Sequence, residues 1–344
     1  MSRRSLTLLI AAIGTVAAIA VAVLVPVPYV ILGPGPTLNT LGKDSSGHPL
    51  IVISGRSTYP TTGHLNMVTV SYQGCQGNQF NIFTALVAWL NPHEAVVPQT
   101  EICPAGQTQQ QTQQQDTLQM TSSQQTATAA AFTELHIPYS TKVAVVQTQP
   151  GYPAVGVLKA GDVITAVDGK PVTGQQSLTS LIRARPAGSM LTVTIVRNGT
   201  TTQVHVGTRE SGGRPVMGVA VTEQYTFPFQ VKISVGDIGG PSAGLMFALG
   251  IIDKLTADNL TGGRFIAGTG EIEAGGKVDP IGGIQQKMVG ARQAGATIFL
   301  APAANCADTK GAVPAGLRLV KVSTLNQAVT DLRDLQSGQP VPSC

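Results

Sequence analysis

The chain has 344 residues, enough for one large or two modest domains, and 42% of them are hydrophobic, so a substantial core can form. The formal net charge is +4, with 12% charged and 4% aromatic residues. That balance is too weak and scattered for a nucleic-acid surface and too poor in aromatics for base stacking.

Arg3 and Arg4 precede an uncharged stretch from Ser5 to about Leu32. An apolar run of about 20 residues spans a bilayer as a helix; the apolar region of a signal peptide is shorter, about 7–15 residues. No small-x-small cleavage pattern ends the run before Pro26. The expectation is a cytosolic stub and uncleaved signal anchor over residues 1–34. Arg3 and Arg4 then stay in the cytosol and everything after about Pro34 lies outside. This describes a single-pass protein of the cell membrane with its folded domains extracytoplasmic. Cys75, Cys103, Cys306 and Cys344 all fall on that side, where disulfides persist. Three pairings are open; the one joining near neighbours, Cys75 with Cys103 and Cys306 with Cys344, is preferred. No Cys-x-x-Cys or His/Cys cluster points to a metal, and no cofactor is expected.

After the anchor, "HPLIVISG" and "GHLNMVTVSY" have strand character, and "NQFNIFTALVAWLN" follows as a short apolar helix closed near Asn91-Pro92. Gln109 to Asp116 is a low-complexity patch, either a solvated helix start or a flexible loop. Leu118 to Leu135, rich in Ala and free of Gly and Pro, predicts a helix.

From about Ile137 to Gly207 the pattern becomes strand, turn, short helix, two strands, helix and a hairpin across Asn198-Gly199. Pro153-Ala154, Leu158, Gly161-Asp162, Ile164, Val167, Asp168-Gly169 and Val172 form a spaced set that resembles a PDZ domain of the type found in bacterial proteases. Such a domain captures an extended peptide as an added strand. The resemblance places the groove along Lys142 to Gln147 and the helix near Leu178 to Ala184. It places the carboxylate-binding loop near Leu135 to Ser140, although "LHIPYS" lacks the usual glycine-rich pattern.

Further on, "VGDIGGPSAGLMFALG" holds Gly240-Pro241-Ser242-Ala243-Gly244, a Gly-x-Ser-x-Gly pattern. A serine hydroxyl needs a base to take its proton. All five histidines precede Ser242, which excludes the order serine, acid, histidine. His64 and His205 remain formal candidates, and a lysine held neutral by burial is the alternative. Pro241 suits a first helical turn, and Ser242 would stand at the N-terminus of a helix whose free N–H groups favour negative charge. "IGGIQQKMVGARQAGA" predicts a helix from about Gly283 to Ala294. Its wheel places Ile284, Lys287, Met288, Ala291 and Ala294 together, with Gln285, Gln286, Arg292 and Gln293 opposite. Lys287 is thus a lone lysine on the face expected to be buried, either acting as a base or snorkelling to the rim.

"GGPSAGL", "GTGEI" and "DPIGGIQQK" follow one another in the order that strongly resembles the proteolytic domain of Lon-type proteases. The resemblance implies Ser242 as nucleophile and Lys287 as base, with Thr269 orienting the lysine and Gly240 and Pro241 of the serine motif in support; Glu271 is either a supporting partner or a strand-end charge. "LQMTSSQQTATAA" is similar to the family helix with a Met-x-x-Ser pattern, and "GHLNMVTV" to the start of the domain. Many Lon domains carry an acidic residue three before the serine; here that position is Gly239, with Asp237 five before. The implied fold is α+β: an N-terminal transmembrane helix and a Lon-type proteolytic domain (ribosomal protein S5 domain 2-like), split as residues 35–136 and 209–344 by a PDZ domain at 137–208. This layout resembles membrane-anchored PDZ–Lon-like proteases of Gram-positive bacteria. The sequence holds no Walker loop, so ATP-driven unfolding is not built in. The implied activity is that of an ATP-independent serine endopeptidase. Its expected partners are peptides or unfolded proteins, the membrane, and further copies of the chain if it assembles. A catalytically inert PDZ scaffold and an esterase reusing the serine are the rival readings.

Overall fold

The computed structural model describes residues 3–44, 46–75, 79–103 and 106–344. The chain divides into two compact units, residues 1–137 with 229–344 and residues 138–228.

In the first unit an apolar helix, Arg3–Leu24, has no buried residue and is long and apolar enough to cross a membrane. It ends earlier than the sequence suggests. Pro26 and Pro28 cannot donate to a continuing helix, and Tyr29–Asn39 is already a strand, with Val30 and Ile31 buried. Residues 29–34 therefore belong to the folded sheet, not to the apolar helix.

That sheet has six strands in the order Arg318–Val322, Ile298–Pro302, Phe265–Gly268, His64–Gln73, Tyr29–Asn39, Ala95–Pro98. The first four run parallel, and Tyr29–Asn39 is antiparallel to both its neighbours. Successive strand residues face opposite sides. Ala267, Phe299, Ala301 and Leu319 pack under the helix Ile284–Gln293, with Ile284, Met288 and Ala291. The alternate residue Gly268 abuts Met246 of the helix Gly244–Leu255 on the other face. That second helix is buried from Gly244 to Asp253, as expected of a helix apolar all round. Against it packs the long helix Gln109–Glu134, which starts at Gln109 rather than Leu118. Thr108 caps it: its Oγ1 accepts from the Gln111 N–H and its own N–H donates to Gln111 Oε1, so the glutamine patch is a solvated helix start. Only from Met120 onward is the helix buried, through Ser123 and the run Ala127 to Phe132. A short ladder, Ile51–Ser54 with Gln230–Ile233, joins chain from before and after the second unit. Disulfides link Cys75 to Cys103 and Cys306 to Cys344.

The second unit is a sheet in the order Val219–Thr226, Ser140–Thr148, Val163–Val167, Met190–Arg197, Thr200–Gly207, with the helix Gln175–Arg183. Its core includes Val143, Val145, Leu158, Ile164, Val167, Leu178, Ile182 and Val193. Asp162 is buried but accepts a two-pronged ion pair from Arg197 at 2.7 Å on each oxygen, which holds its carboxyl below the usual range. The unit runs past the expected Gly207 to Pro228, because Val219–Thr226 pairs with Ser140–Thr148 along its length. Ser140 stands opposite Thr226, so the chain enters and leaves side by side.

Candidate active site

Parallel strands present their C-terminal ends as a crevice where helices from both faces converge. Thr269 follows directly on the strand Phe265–Gly268. The serine turn arrives from one face of the sheet and the lysine helix from the other, and their side chains meet beyond this strand end.

Lys287 Nζ lies 2.7 Å from Ser242 Oγ and 3.0 Å from Thr269 Oγ1. The Thr269 hydroxyl donates its own proton to the Ser242 carbonyl at 2.9 Å. With that proton committed, Thr269 Oγ1 can only accept from the lysine, which aims the remaining valence of Nζ at Ser242 Oγ. The Gly270 N–H donates to the same Ser242 carbonyl at 2.9 Å. Lys287 is 3% exposed, and burial lowers its pKa to about 8, partly opposed by the charge of Glu271. Glu271 is itself raised, first by burial and then by Asp279 opposite it in the two-residue ladder Glu271–Ile272 with Val278–Asp279.

The backbone around Ser242 is over-determined. Gly240 has φ +86°, a left-handed conformation that glycine alone adopts without strain, and its N–H donates to the Asp116 carbonyl at 3.1 Å. Ser123 Oγ donates to the Pro241 carbonyl at 2.9 Å. Pro241 and Ser242 lie in the turn before the helix rather than in its first turn: Ala243 is the N-cap and Gly244 the first helical residue. The position three before the serine is glycine for a steric reason, since a Cβ on Gly239 would stand 2.5 Å from Asp116 Cβ. Asp116, on the long helix, occupies that side instead, and its carboxyl is raised by burial. Among the described residues, no acceptor takes the Ser242 or Ala243 N–H. These N–H groups stand just before the first helical residue, Gly244, where partial positive charge concentrates.

A cleft of about 830 Å³ opens over these residues, lined by Tyr72, Asp116, Asp237, Ser242, Glu271 and Lys287 among others. His64 is not in it; its ring stacks on Phe265 at 4.4 Å. His205 lies on the strand Thr200–Gly207 of the other unit. Two wheel assignments differ from the structure: Gln286 is buried and Ala294 exposed. The lysine helix is held between the sheet and the 3-10 turn Ala303–Thr309, which widens its buried arc, and it ends at the Ala294 cap.

Residues 229–332 match the family model of the Lon protease (S16) C-terminal proteolytic domain, and residues 111–208 match that of the PDZ domain. The chain carries a Lon-type serine peptidase domain and a PDZ domain. Lon protease 1 of Bacillus subtilis (strain 168) is 34% identical over 110 residues, 31% of this chain and 14% of that protein. Lon protease 2 of Herpetosiphon aurantiacus is 46% identical over 69 residues, 20% of this chain and 8% of that protein. The chain thus spans about a seventh, or less, of the length of these curated relatives. The PDZ domain of the SdrC-like protein from Listeria monocytogenes is 25% identical, with a TM-score of 0.22, covering 23% of this chain and 85% of that one.

The expected groove keeps its helix, Leu178 to Ala184, but not its strand. Ser140–Thr148 is paired on both sides, so Lys142 to Gln147 have no free edge. The edge strand is Val219–Thr226, beside the helix Gln175–Arg183. A concavity of about 540 Å³ there is lined by Thr179, Ile182, Arg183 and Met217 to Ala220. The segment Leu135 to Ser140 leads instead into the interior strand. The signal that sequence reasoning missed was Val219–Thr226, whose alternating residues read as a strand.

Proposed function

We propose that the chain is an ATP-independent Ser–Lys endopeptidase, anchored in the membrane by Arg3–Leu24 and acting on the extracytoplasmic side. The observation that carries the reading is the 2.7 Å approach of a buried Lys287 Nζ to Ser242 Oγ. Neutral Lys287 takes the hydroxyl proton as Ser242 Oγ attacks a peptide carbonyl. The Ser242 and Ala243 N–H groups, at the helix start, receive the developing oxyanion. The lysinium returns its proton to the leaving amine, and an acyl-serine remains. A water, deprotonated by the same lysine, then releases the acid and regenerates Ser242. A pKa near 8 suits this shuttle, since an effective general base titrates near the working pH.

The anchor reading is supported by Arg3 and Arg4 preceding the apolar helix, and by the two disulfides, which persist in oxidising compartments. ATP independence is supported by the lack of a Walker loop in the 344 residues. Peptide tails or unfolded segments would add to the Val219–Thr226 edge, with Arg183 in the lining of the concavity as a cation for a carboxylate.

The test is the full chain in detergent micelles, incubated with an unfolded casein-like protein and with simple esters, with and without ATP. Protein cleavage that ignores ATP and disappears in Ser242→Ala is expected. Equal cleavage by Ser242→Ala would leave the inert-scaffold reading standing, and turnover of esters alone would favour the esterase.

A further inference from the structure

The helix Ile82–Leu90 is inside out. It carries no charged residue, and its small residues face inward. Ala88 is buried, and Ala85 packs with Val27, Ile31, Phe80 and Val96. The large side chains face solvent: Phe83 is 61% exposed, Trp89 69% and Leu90 68%, with Ile82, Leu86 and Val87 beside them. On a 3.6-residue wheel these six form one continuous face, and Thr84, Ala85 and Ala88 the other. A contiguous apolar face of this kind marks an interaction surface rather than chance exposure.

Its position names the occupant. The helix is fastened to the end of the membrane-spanning candidate Arg3–Leu24. Asn81 Nδ2 donates to the Val23 carbonyl at 2.9 Å, the Val27 N–H donates to the Phe80 carbonyl at 3.0 Å, and Pro26 bridges to Asn81. Where a chain leaves a bilayer, an apolar face held within a few residues of the exit meets the acyl chains just below the headgroups. An aromatic residue such as Trp89 favours that level. Tyr29, the first residue after the exit prolines, is also exposed.

We infer that Ile82–Leu90 is an interfacial helix that beds the proteolytic unit in the outer leaflet, the bilayer being the occupant of its exposed face. The inference rests on the anchored reading above. It also has a consequence for substrates. Cys75 and Cys103, which bracket this helix and are joined to each other, line the cleft together with Gly74 and Ile102. One wall of the cleft is therefore tied to the bedded segment, and peptide bonds close to the membrane surface are the favoured substrate class.

Trp89 is the chain's single tryptophan, so it reports on the helix directly. The full chain is reconstituted into phosphatidylcholine vesicles with and without acyl chains brominated near the headgroup. Emission quenched at least twofold by brominated lipid, together with protection from aqueous iodide, is expected. Full emission in brominated vesicles overturns the docking; shielding from iodide without lipid quenching assigns the face to a second copy of the chain and overturns it equally. Flotation separates this from the anchor. If neither wild type nor the triple variant Phe83→Ser/Leu86→Ser/Leu90→Ser floats with vesicles, the anchor fails and the docking with it. If both float while wild-type Trp89 stays unquenched, the docking alone fails. The ratio of kcat/KM for a lipid-tethered peptide to that for the same peptide free should fall severalfold in the triple variant. An unchanged ratio overturns the preference for membrane-proximal bonds.

Discussion

Two short helices break the usual partition of apolar groups inward and charges outward, in opposite senses. Ile284–Gln293 buries Lys287 within its packed face, while Ile82–Leu90 turns Phe83, Leu86, Trp89 and Leu90 outward. Neither arrangement is explained by fold stability. A buried ammonium costs desolvation that a hydrophobic residue would not, and exposed large apolar side chains forgo burial that would otherwise stabilise the fold. Such local conflicts with folding rules collect at functional positions. The difference in sense is informative. The inward charge points to chemistry that needs a shifted pKa, and the outward apolar face points to a surface that water does not cover in the working state.

The comparison breaks most sharply at the dyad. Ser242→Ala and Lys287→Ala should each lower kcat by about 10³-fold or more, with the double variant no worse than either single one, because in the proposed mechanism the two act as a unit. Steady-state peptidase assays check this, and full activity in Lys287→Ala would remove lysine as the base. In wild type, kcat/KM should rise with pH through about 8 as Lys287 loses its proton.

Next comes the cost of burying that lysine. Burial lowers its pKa from the usual 10.5 to about 8, so below pH 8 the folded state carries a penalty of about 3 kcal/mol relative to the unfolded chain. Between about pH 8 and 10.5 the unfolded chain binds more protons, so wild-type stability should climb with pH in that window. Lys287→Met should be inactive yet more stable at pH 7 by about 1–3 kcal/mol, the gain shrinking as pH rises through the window. Denaturant melts at pH 7 and pH 10 measure both; a destabilised Lys287→Met at pH 7 would mean that the hydrogen bonds to Ser242 and Thr269 outweigh desolvation.

Thr269→Val keeps the shape but removes the hydroxyl between Lys287 and the Ser242 carbonyl. A loss of about 10-fold to 100-fold in kcat with little change in KM is the outcome that the proposed orienting role of Thr269 requires. Glu271→Gln should act more gently. Removing a negative charge that favours lysinium lowers the Lys287 pKa, so the acid limb of the pH–rate profile should move to lower pH. A limb that moves upward would contradict the electrostatic role of Glu271. Least of all should Leu86→Ser affect the detergent-solubilised protein, within about 0.5 kcal/mol in urea melts. By contrast, Phe132→Ala at a fully buried position should cost about 3–5 kcal/mol. A large loss in Leu86→Ser would place that face inside a protein contact and dissolve the contrast between the two helices.

The sequence by itself determined the features that depend on local pattern. The apolar run, the Ser242 turn, the helix carrying Lys287 and the hairpin at Asn198-Gly199 are each set by spacing or by residues with one strong conformational preference. The two domain types were also legible, because their motifs hold unusual residues at fixed intervals. Tertiary structure alone decided what depends on distant partners. The apolar residues from Tyr29 to Leu32 are strand because Tyr29–Asn39 finds strands on both sides of it. The groove strand is Val219–Thr226 because Ser140–Thr148 is already paired twice. Position 239 is glycine because Asp116, on a helix distant in sequence, fills the space. The outward face of Ile82–Leu90 was equally hidden. An apolar helix reads the same whether protein or lipid covers it, and only packing shows that Ala85 and Ala88 take the inside. Periodicity records which residues share a face; what covers that face is settled by chain that periodicity does not see.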